Sequence, residues 1–308
     1  MNVTSSTIAF PERELPRISI ITPSFNQADF LEKTVQSVLG QNYPNLEYII
    51  IDGGSRDGSV DIIRKYENRL AYWVSEPDKG HYDAVNKGMA KATGDIVAWI
   101  NSDDMYVTNA LQTVGSVMAE LPQVKWLSSL NGICWDSDGA ILGIFPVPGF
   151  SREAFLDGEY LPFKSRHLGW IQQESTFWHR SLWEQAGGRI RTEFTLAGDF
   201  DLWSRFYGLT DLYGIDAPLG GYRKRQGQRS EDMKKYLEEA ARSLTELRSS
   251  TGWGNRSFQN ALVRSRLFEI PGLRKHLRKL GGYDGHRVVK ARPGLANSGW
   301  IVKEQTFP

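Results

Sequence analysis

Two adjacent carboxylates, Asp103 and Asp104, end an apolar, β-favouring run that contains Ile96, Val97, Trp99 and Ile100. A buried strand of this kind delivers charge to the carboxyl end of a sheet, and in open α/β sheets ligands bind just outside that end. Neighbouring carboxylates repel each other unless positive charge lies beside them. A divalent cation carrying a diphosphate meets that need, because Mg2+ usually takes one or two protein carboxylates plus phosphate oxygens. The pair also suits a structural task, capping a helix over 107–118.

Three further loops follow apolar strand-like runs and carry small polar or charged residues. They hold Thr22, Pro23 and Asn26; then Asp52, Gly53 and Ser55; then Asp78 and Lys79. In a parallel sheet these loops share one edge with Asn101, Asp103 and Asp104. Glycines there admit close backbone approach, and a carboxylate can contact a base or ribose, so the crevice is of nucleotide type. A single Asp after a strand also serves as a turn former. The first strand is not followed by G-x-G-x-x-G, and no G-x-x-x-x-G-K-[ST] occurs, which argues against dinucleotide and P-loop chemistry.

The elements that must position these residues alternate. The run 17–22 reads as a core strand stopped by Pro23-Ser-Phe-Asn26. Leu31, Val35, Val38 and Leu39 recur at helical spacing over 28–40, ending at glycine. A strand over 46–51, a helix over 60–66, a strand over 70–74 and a helix over 81–92 lead to the Ile96 strand. This alternation predicts an α/β fold, a mostly parallel sheet flanked by helices.

Beyond Met118 the pattern shifts to short β-leaning pieces at 126–130, 133–135 and 141–145, which suggest mixed or antiparallel additions. An aromatic-rich stretch, 161–183, follows, with Trp170, Phe177, Trp178 and Trp183 mostly as core. Asp199 stands at the start of a helix over 200–207, where it also suits the cap position. Residues 220–230 form a basic loop and 233–247 a charged amphipathic helix. The expected organisation is a lead-in (1–16), a catalytic domain (17–230, split near 118 into nucleotide and acceptor halves) and a basic helical C-terminal extension with a tail (231–308).

The 308 residues carry a net charge of +1, so no global attraction to nucleic acid is expected. One cysteine excludes an internal disulfide and a multi-cysteine zinc site. No apolar run approaches the ~18 residues of a spanning helix, and no leader pattern opens the chain. The expectation is a cytoplasmic protein. Basic residues interleaved with leucine over 261–290 add a possible peripheral contact at the inner membrane face.

The runs from Ile20 to Asn26 (IITPSFN), Tyr48 to Ser59 (YIIIDGGSRDGS), Ser75 to Gly88 (SEPDKGHYDAVNKG) and Trp99 to Asp104 (WINSDD) together resemble family 2 glycosyltransferases of the GT-A fold. The resemblance covers about 17–230. It implies an inverting transferase that uses a nucleotide-diphosphate sugar (UDP, GDP or TDP) and Mn2+ or Mg2+. It implies further that Thr22 and Pro23 border the nucleotide, that Asp52 holds the base edge, and that Asp78, Lys79 and Gly80 lie near base and diphosphate. Asp103 and Asp104 match the metal-binding acidic motif, with Asp104 the likelier direct ligand and Asp103 toward ribose or metal. Gly198-Asp-Phe-Asp201 resembles the second acidic motif, making Asp199 the base and Asp201 a weaker candidate; the more frequent motif has Glu where this chain has Gly198. Arg223 and Arg225 fall in what resembles the family's late basic loop, which implies that they neutralise a leaving diphosphate; the same run also reads as a solvated basic surface loop. The acceptor implied is a glycan or lipid-linked saccharide of bacterial cell-surface polysaccharide synthesis, taking a single sugar. Rival readings are a nucleotidyltransferase, which needs a basic glycine-rich loop after the first strand, and a non-catalytic nucleotide-sugar or glycan-binding module.

Overall fold

The computed structural model describes residues 14–162, 167–225, 227–228, 231–254, 282–291 and 299–307. Most of the basic segment 261–290 lies outside the described residues.

The central strands are β1 (Ile18–Ser24), β2 (Leu46–Asp52), β3 (Tyr72–Ser75) and β4 (Ile96–Trp99). All seven residues of β1 are buried, as a strand covered on both faces requires. It runs parallel to β2 and β4, and β2 runs parallel to β3. Ser24 pairs with Asp52 and Asp52 with Ser75, so three polar residues line up at the carboxyl edge.

Helix α1 (Ala28–Leu39) follows β1 and buries Leu31, Thr34, Val35, Val38 and Leu39. Next come α2 (Ser59–Tyr66) and α3 (His81–Met89). Gly88 on α3 sits where a Cβ would meet Ile21 at 2.4 Å, so glycine lets this helix lie flat on β1. The expected end of α3 at residue 92 falls at Met89, beyond which Lys91 N and Ala92 N bond back to Gly88 O and Met89 O in tighter i→i−3 turns.

The acidic pair does not cap a helix. A two-residue strand, β5 (Met105–Tyr106), follows it, and α4 (Ala110–Glu120) starts only after Asn109. β6 (Trp126–Ser129), β7 (Asn131–Trp135) and β8 (Ile141–Pro146) are the short β pieces; α5 (Arg152–Asp157), β9 (Thr176–His179) and α6 (Arg180–Gln185) complete the middle. Then come α7 (Gly198–Tyr207), β10 (Tyr213–Ile215), β11 (Gly220–Arg223), α8 (Met233–Thr251), β12 (Tyr283–Lys290) and β13 (Trp300–Phe307).

The larger sheet has nine strands in the order β13-β12-β10-β6-β9-β4-β1-β2-β3. The tail is therefore not only a helical extension: β12 pairs in parallel with β10 and antiparallel with β13. The second sheet, β5-β11-β7-β8, carries the acid pair's continuation beside the basic loop.

The core beneath the site is aromatic. Trp99, Trp126, Trp178 and Trp203 are each at most 1% exposed. Trp99 stacks on Trp203 with centroids 6.2 Å apart and meets Trp178 edge-on at 5.6 Å. Trp203 thus anchors α7 to β4, and Phe206, against Trp126 and Trp178, anchors it to β6 and β9, each burial contributing about 2–3 kcal/mol. Among the described residues no helix is long and apolar enough to cross a membrane.

Candidate active site

The first two strand-end loops are stitched together. Asn26 N donates to Ser55 Oγ (2.8 Å), Gln27 N to Ser59 Oγ (3.0 Å) and Ala28 N to Asp57 Oδ2 (2.9 Å). Asn26 takes a left-handed φ of 51°, and its side-chain oxygen accepts from Arg56 N at 3.0 Å. Asn26 thereby shapes the rim through backbone and amide together.

Asp52 is fully buried at the floor. Its Oδ2 accepts from Ser55 N (2.8 Å), Gly54 N (3.1 Å) and Ser75 Oγ (2.6 Å), and its Oδ1 from Ser55 Oγ (2.5 Å). Asp52 therefore organises the loop; touching a base would require one of these bonds to exchange. Thr22 is likewise buried, its hydroxyl 3.0 Å from Tyr48 OH, so the threonine faces the core. Pro23 is buried beside it.

Asp78 leans over Gly53. A Cβ on Gly53 would meet Asp78 Oδ2 at 2.8 Å and the Phe25 ring at 3.2 Å, which accounts for glycine there. Asp78 Oδ1 accepts from Gly80 N at 2.8 Å. Lys79 is exposed, with its backbone N–H on Asp83 Oδ2. Phe25 is 59% exposed at this lip. Phe25 stands outside the candidate residues above, and its only signal in the sequence is an aromatic in a strand-end turn.

Asp104 is 3% exposed. Its Oδ1 accepts from Arg223 N (2.8 Å) and its Oδ2 from Asn101 Nδ2 (2.9 Å). Burial first, then the charges of Asp103 and Glu174, push its carboxyl well above the usual range. Asn101 Oδ1 is buried without a hydrogen-bond partner among the described residues. An all-oxygen set around crowded buried acids suits a hard divalent cation, which relieves the repulsion and needs only one or two protein carboxylates when phosphate completes its shell. Asp103 and Asp104 fit such an ion.

The two arginines part company. Arg223 is fully buried. Its Nε donates to Asp103 O (2.7 Å) and its Nη1 to Asp136 O (2.9 Å) and Ser137 O (2.8 Å), so it ties the acid loop to the 136–139 turn. Arg225 instead reaches the acid pair itself, Nε to Asp103 Oδ2 at 2.8 Å.

Asp199 comes from the second half of the chain. It lies in the first turn of α7, whose cap position is Ala197, so Asp199 is not the cap. Tyr82, at the start of α3, donates to Leu196 O (2.8 Å) and accepts from Gly198 N (3.0 Å). A Cβ at 198 would meet the Tyr82 ring at 2.6 Å. The departure from the commoner Glu at this position thus has a steric cause: Tyr82 occupies the space a side chain would take. Glu239 of α8 accepts from the backbone N–H groups of Thr195, Leu196 and Ala197, bracing the turn from the other side. Asp201 points elsewhere. It is fully buried and held by Arg191, by Arg205 Nε (3.1 Å) and by Ser243 Oγ (3.0 Å). That network leaves it structural, and Asp199 the candidate base.

Glu174, in the 3-10 turn Gln173–Ser175, joins the two halves and was not singled out from sequence. The signal was three polar residues, Gln172 to Glu174, inside an aromatic and apolar stretch. It is 6% exposed, with Oε1 unpartnered among the described residues. Burial pushes its carboxyl up to about 7; its own backbone N–H opposes that, and the charges of Asp199 and Asp103 add to it. Gln173 Nε2 donates to Trp99 O (2.6 Å) and Ser175 Oγ to Gly220 O (2.8 Å), so the turn that carries Glu174 is tied to both β4 and β11.

A pH prediction follows. Glu174 titrates near 7 in the fold against an ordinary 4.5. Between those values the native state holds more protons than the unfolded chain, so stability falls as pH rises through that window. Glu174→Gln removes this contribution. Its Tm is expected to gain on the wild type between about pH 5 and about pH 8; a pH-independent difference would show that this carboxyl does not titrate there.

Comparisons with known proteins identify the family and the fold. Residues 19–176 match the glycosyl transferase family 2 profile. An uncharacterized glycosyltransferase of Mycobacterium tuberculosis is 35% identical over 188 residues, 60% of this chain and 66% of the relative. A putative teichuronic acid biosynthesis glycosyltransferase of Bacillus subtilis, TuaG, is 40% identical over 108 residues, 34% of this chain and 43% of the relative. The matches thus span at most 66% of these relatives' lengths. Among solved structures, S. aureus TarS 1–349 in complex with UDP-GlcNAc superposes with a TM-score of 0.55 at 17% identity, covering 72% of this chain and 64% of TarS 1–349. The mannosyltransferase PcManGT from Pyrobaculum calidifontis, in complex with GDP-Man and Mn2+, gives 0.52 at 17% identity, covering 85% of this chain and 83% of PcManGT. The fold is that of GT-A glycosyltransferases. With its family profile matched over half its length and the acidic loops at one sheet edge, the chain belongs to glycosyl transferase family 2.

Proposed function

We propose that this glycosyltransferase moves a single sugar from a nucleotide-diphosphate sugar to a hydroxyl of a glycan or lipid-linked acceptor, with inversion, in cell-surface polysaccharide synthesis. The observation that supports the reading is the gathering of the Asp52, Asp78 and Asp103–Asp104 loops at the carboxyl edge of the parallel strands in a chain of this family.

The exposed Phe25 ring beside Gly53 and Asp78 offers a stacking face for a base. Asp78 and the braced loop around Asp52 border that base and its ribose, with Lys79 at the rim. Asp104 and Asp103 would hold a hard divalent cation, Mn2+ or Mg2+, which when bound would supply positive charge against the departing diphosphate. Arg225 adds charge at the same end. Asp199 takes the proton of the acceptor hydroxyl while that oxygen attacks the anomeric carbon opposite the leaving group; an α-linked donor then gives a β-linked product.

On the acceptor side, Trp170 is 37% exposed and meets Tyr236 edge-on at 5.8 Å. Burial first, and then the Asp199 charge, raise the Tyr236 hydroxyl, and the exposed Trp170 ring beside it offers a stacking surface for a saccharide. A lipid-linked acceptor places the reaction at the inner membrane face, which the basic, leucine-interleaved 261–290 segment suits.

A thermal-shift screen of UDP, GDP and TDP and their sugars with Mn2+ tests the reading. One nucleotide family is expected to raise Tm selectively, since a ligand that binds only the folded form stabilises it. Turnover should release the nucleoside diphosphate. Release of pyrophosphate would replace this reading with nucleotidyl transfer, and binding without turnover on any acceptor would leave a binding module.

A further inference from the structure

The arm that follows β11 reaches the acid pair. Arg225 Nε donates to Asp103 Oδ2 at 2.8 Å, and its Nη2 to Gln27 Oε1 at 3.3 Å. Its guanidinium carbon stands 5.2 Å from the centre of the Phe30 ring, which also carries Arg223 at 5.2 Å. The ion pair is mostly withdrawn from solvent, with Arg225 21% and Asp103 15% exposed.

A guanidinium in this place does electrostatically what a divalent cation would do: it sets positive charge beside a carboxylate among other acids. The two cannot share Asp103 Oδ2 without repelling each other. We propose that Arg225 is a built-in counter-cation that competes with the divalent cation for Asp103 and is released to the diphosphate when nucleotide binds. The inference rests on the nucleotide-sugar reading of the site. A cation arriving by itself strips Arg225 of its carboxylate and gives it nothing in return. A cation arriving with a diphosphate brings phosphate oxygens, which guanidinium groups bind strongly. Arg225 therefore opposes binding of the cation alone and supports binding of the cation with nucleotide, coupling the two ligands through one side chain.

Calorimetric titration of Mn2+, checked by the electron paramagnetic resonance signal of free Mn2+, separates the two effects. It is run on the full chain as wild type, Arg225→Gln and Arg225→Lys, each with and without UDP. Arg225→Gln is expected to bind Mn2+ alone about five- to tenfold more tightly than wild type, and Mn2+ with UDP about five- to tenfold more weakly. Arg225→Lys should fall between them, since it keeps the charge and loses the fork. Phe30→Leu removes the ring under the arm without touching the acids, and should shift both affinities in the same directions by less. If Arg225→Gln leaves Mn2+ affinity unchanged without UDP, or moves both affinities the same way, the counter-cation is overturned while the transferase reading stands. A wild type that binds neither Mn2+ nor UDP overturns both.

Discussion

Asp199→Asn is expected to bind nucleotide and cation as the wild type does and to lose turnover by about 10³-fold, within the 10²–10⁴-fold range of a positioned general base. The loss corresponds to about 4 kcal/mol of transition-state stabilisation. The fold should tolerate the change. Asp199 is not the helix cap, and the turn before it is held by Tyr82 and Glu239 through backbone groups that asparagine leaves alone. A carboxylate in the first turn of a helix is favoured by the dipole only by about 0.3–1 kcal/mol, so Tm should move little. Steady-state release of nucleoside diphosphate, beside calorimetric nucleotide affinity, checks both halves. Normal turnover would remove Asp199 from the chemistry. A collapse of nucleotide affinity would make it a donor-side residue.

Asp104→Asn is expected to fail at the opposite step. Cation-dependent nucleotide affinity should fall on the order of 10²-fold, about 3 kcal/mol, while cation-independent affinity is retained. The amide can still accept from Arg223 N. Its new N–H would face Asn101 Nδ2, and a flip of Asn101 turns its unpartnered Oδ1 toward that N–H. The stability sign is also distinctive. The Asp104 carboxyl is raised in the fold from its ordinary 3.8, so its ionisation weakens the native state, with the loss beginning near that value and complete above the folded one. Without cation at neutral pH, Asp104→Asn should therefore melt no lower than wild type. Parallel melts with and without Mn2+ read this directly. A variant with lowered Tm and unchanged Mn2+–nucleotide affinity would show Asp104 to be a structural acid.

These two outcomes separate the donor and acceptor halves of the crevice, and the halves differ in how far the sequence alone exposes them. Strand–helix alternation up to α4 follows from local patterning: apolar β-branched runs, helical spacing in α1, and glycine- or proline-bearing turns. The placement of Asp52, Asp78, Asp103 and Asp104 at one edge then follows from parallel topology, because successive strands in such a sheet end on the same side. The partners of those acids do not follow. Asp103 and Asp104 are neighbours in sequence, yet one meets the Arg225 guanidinium and the other the buried backbone N–H of Arg223 at the end of β11, both some 120 residues later. Asp199 and Asp201 share a motif, but helical geometry turns Asp201 into the Arg191–Arg205 cluster. By sequence Glu174 is one of three polar residues, Gln172 to Glu174, in an aromatic stretch, and the tail is an appendage to a helical extension. Only the tertiary structure set Glu174 under the site and β12 against β10. The physical reason is common to all four cases. Local sequence sets backbone conformation and which residues can be buried, whereas a carboxylate's charge, partners and reach depend on groups that long-range packing brings to it.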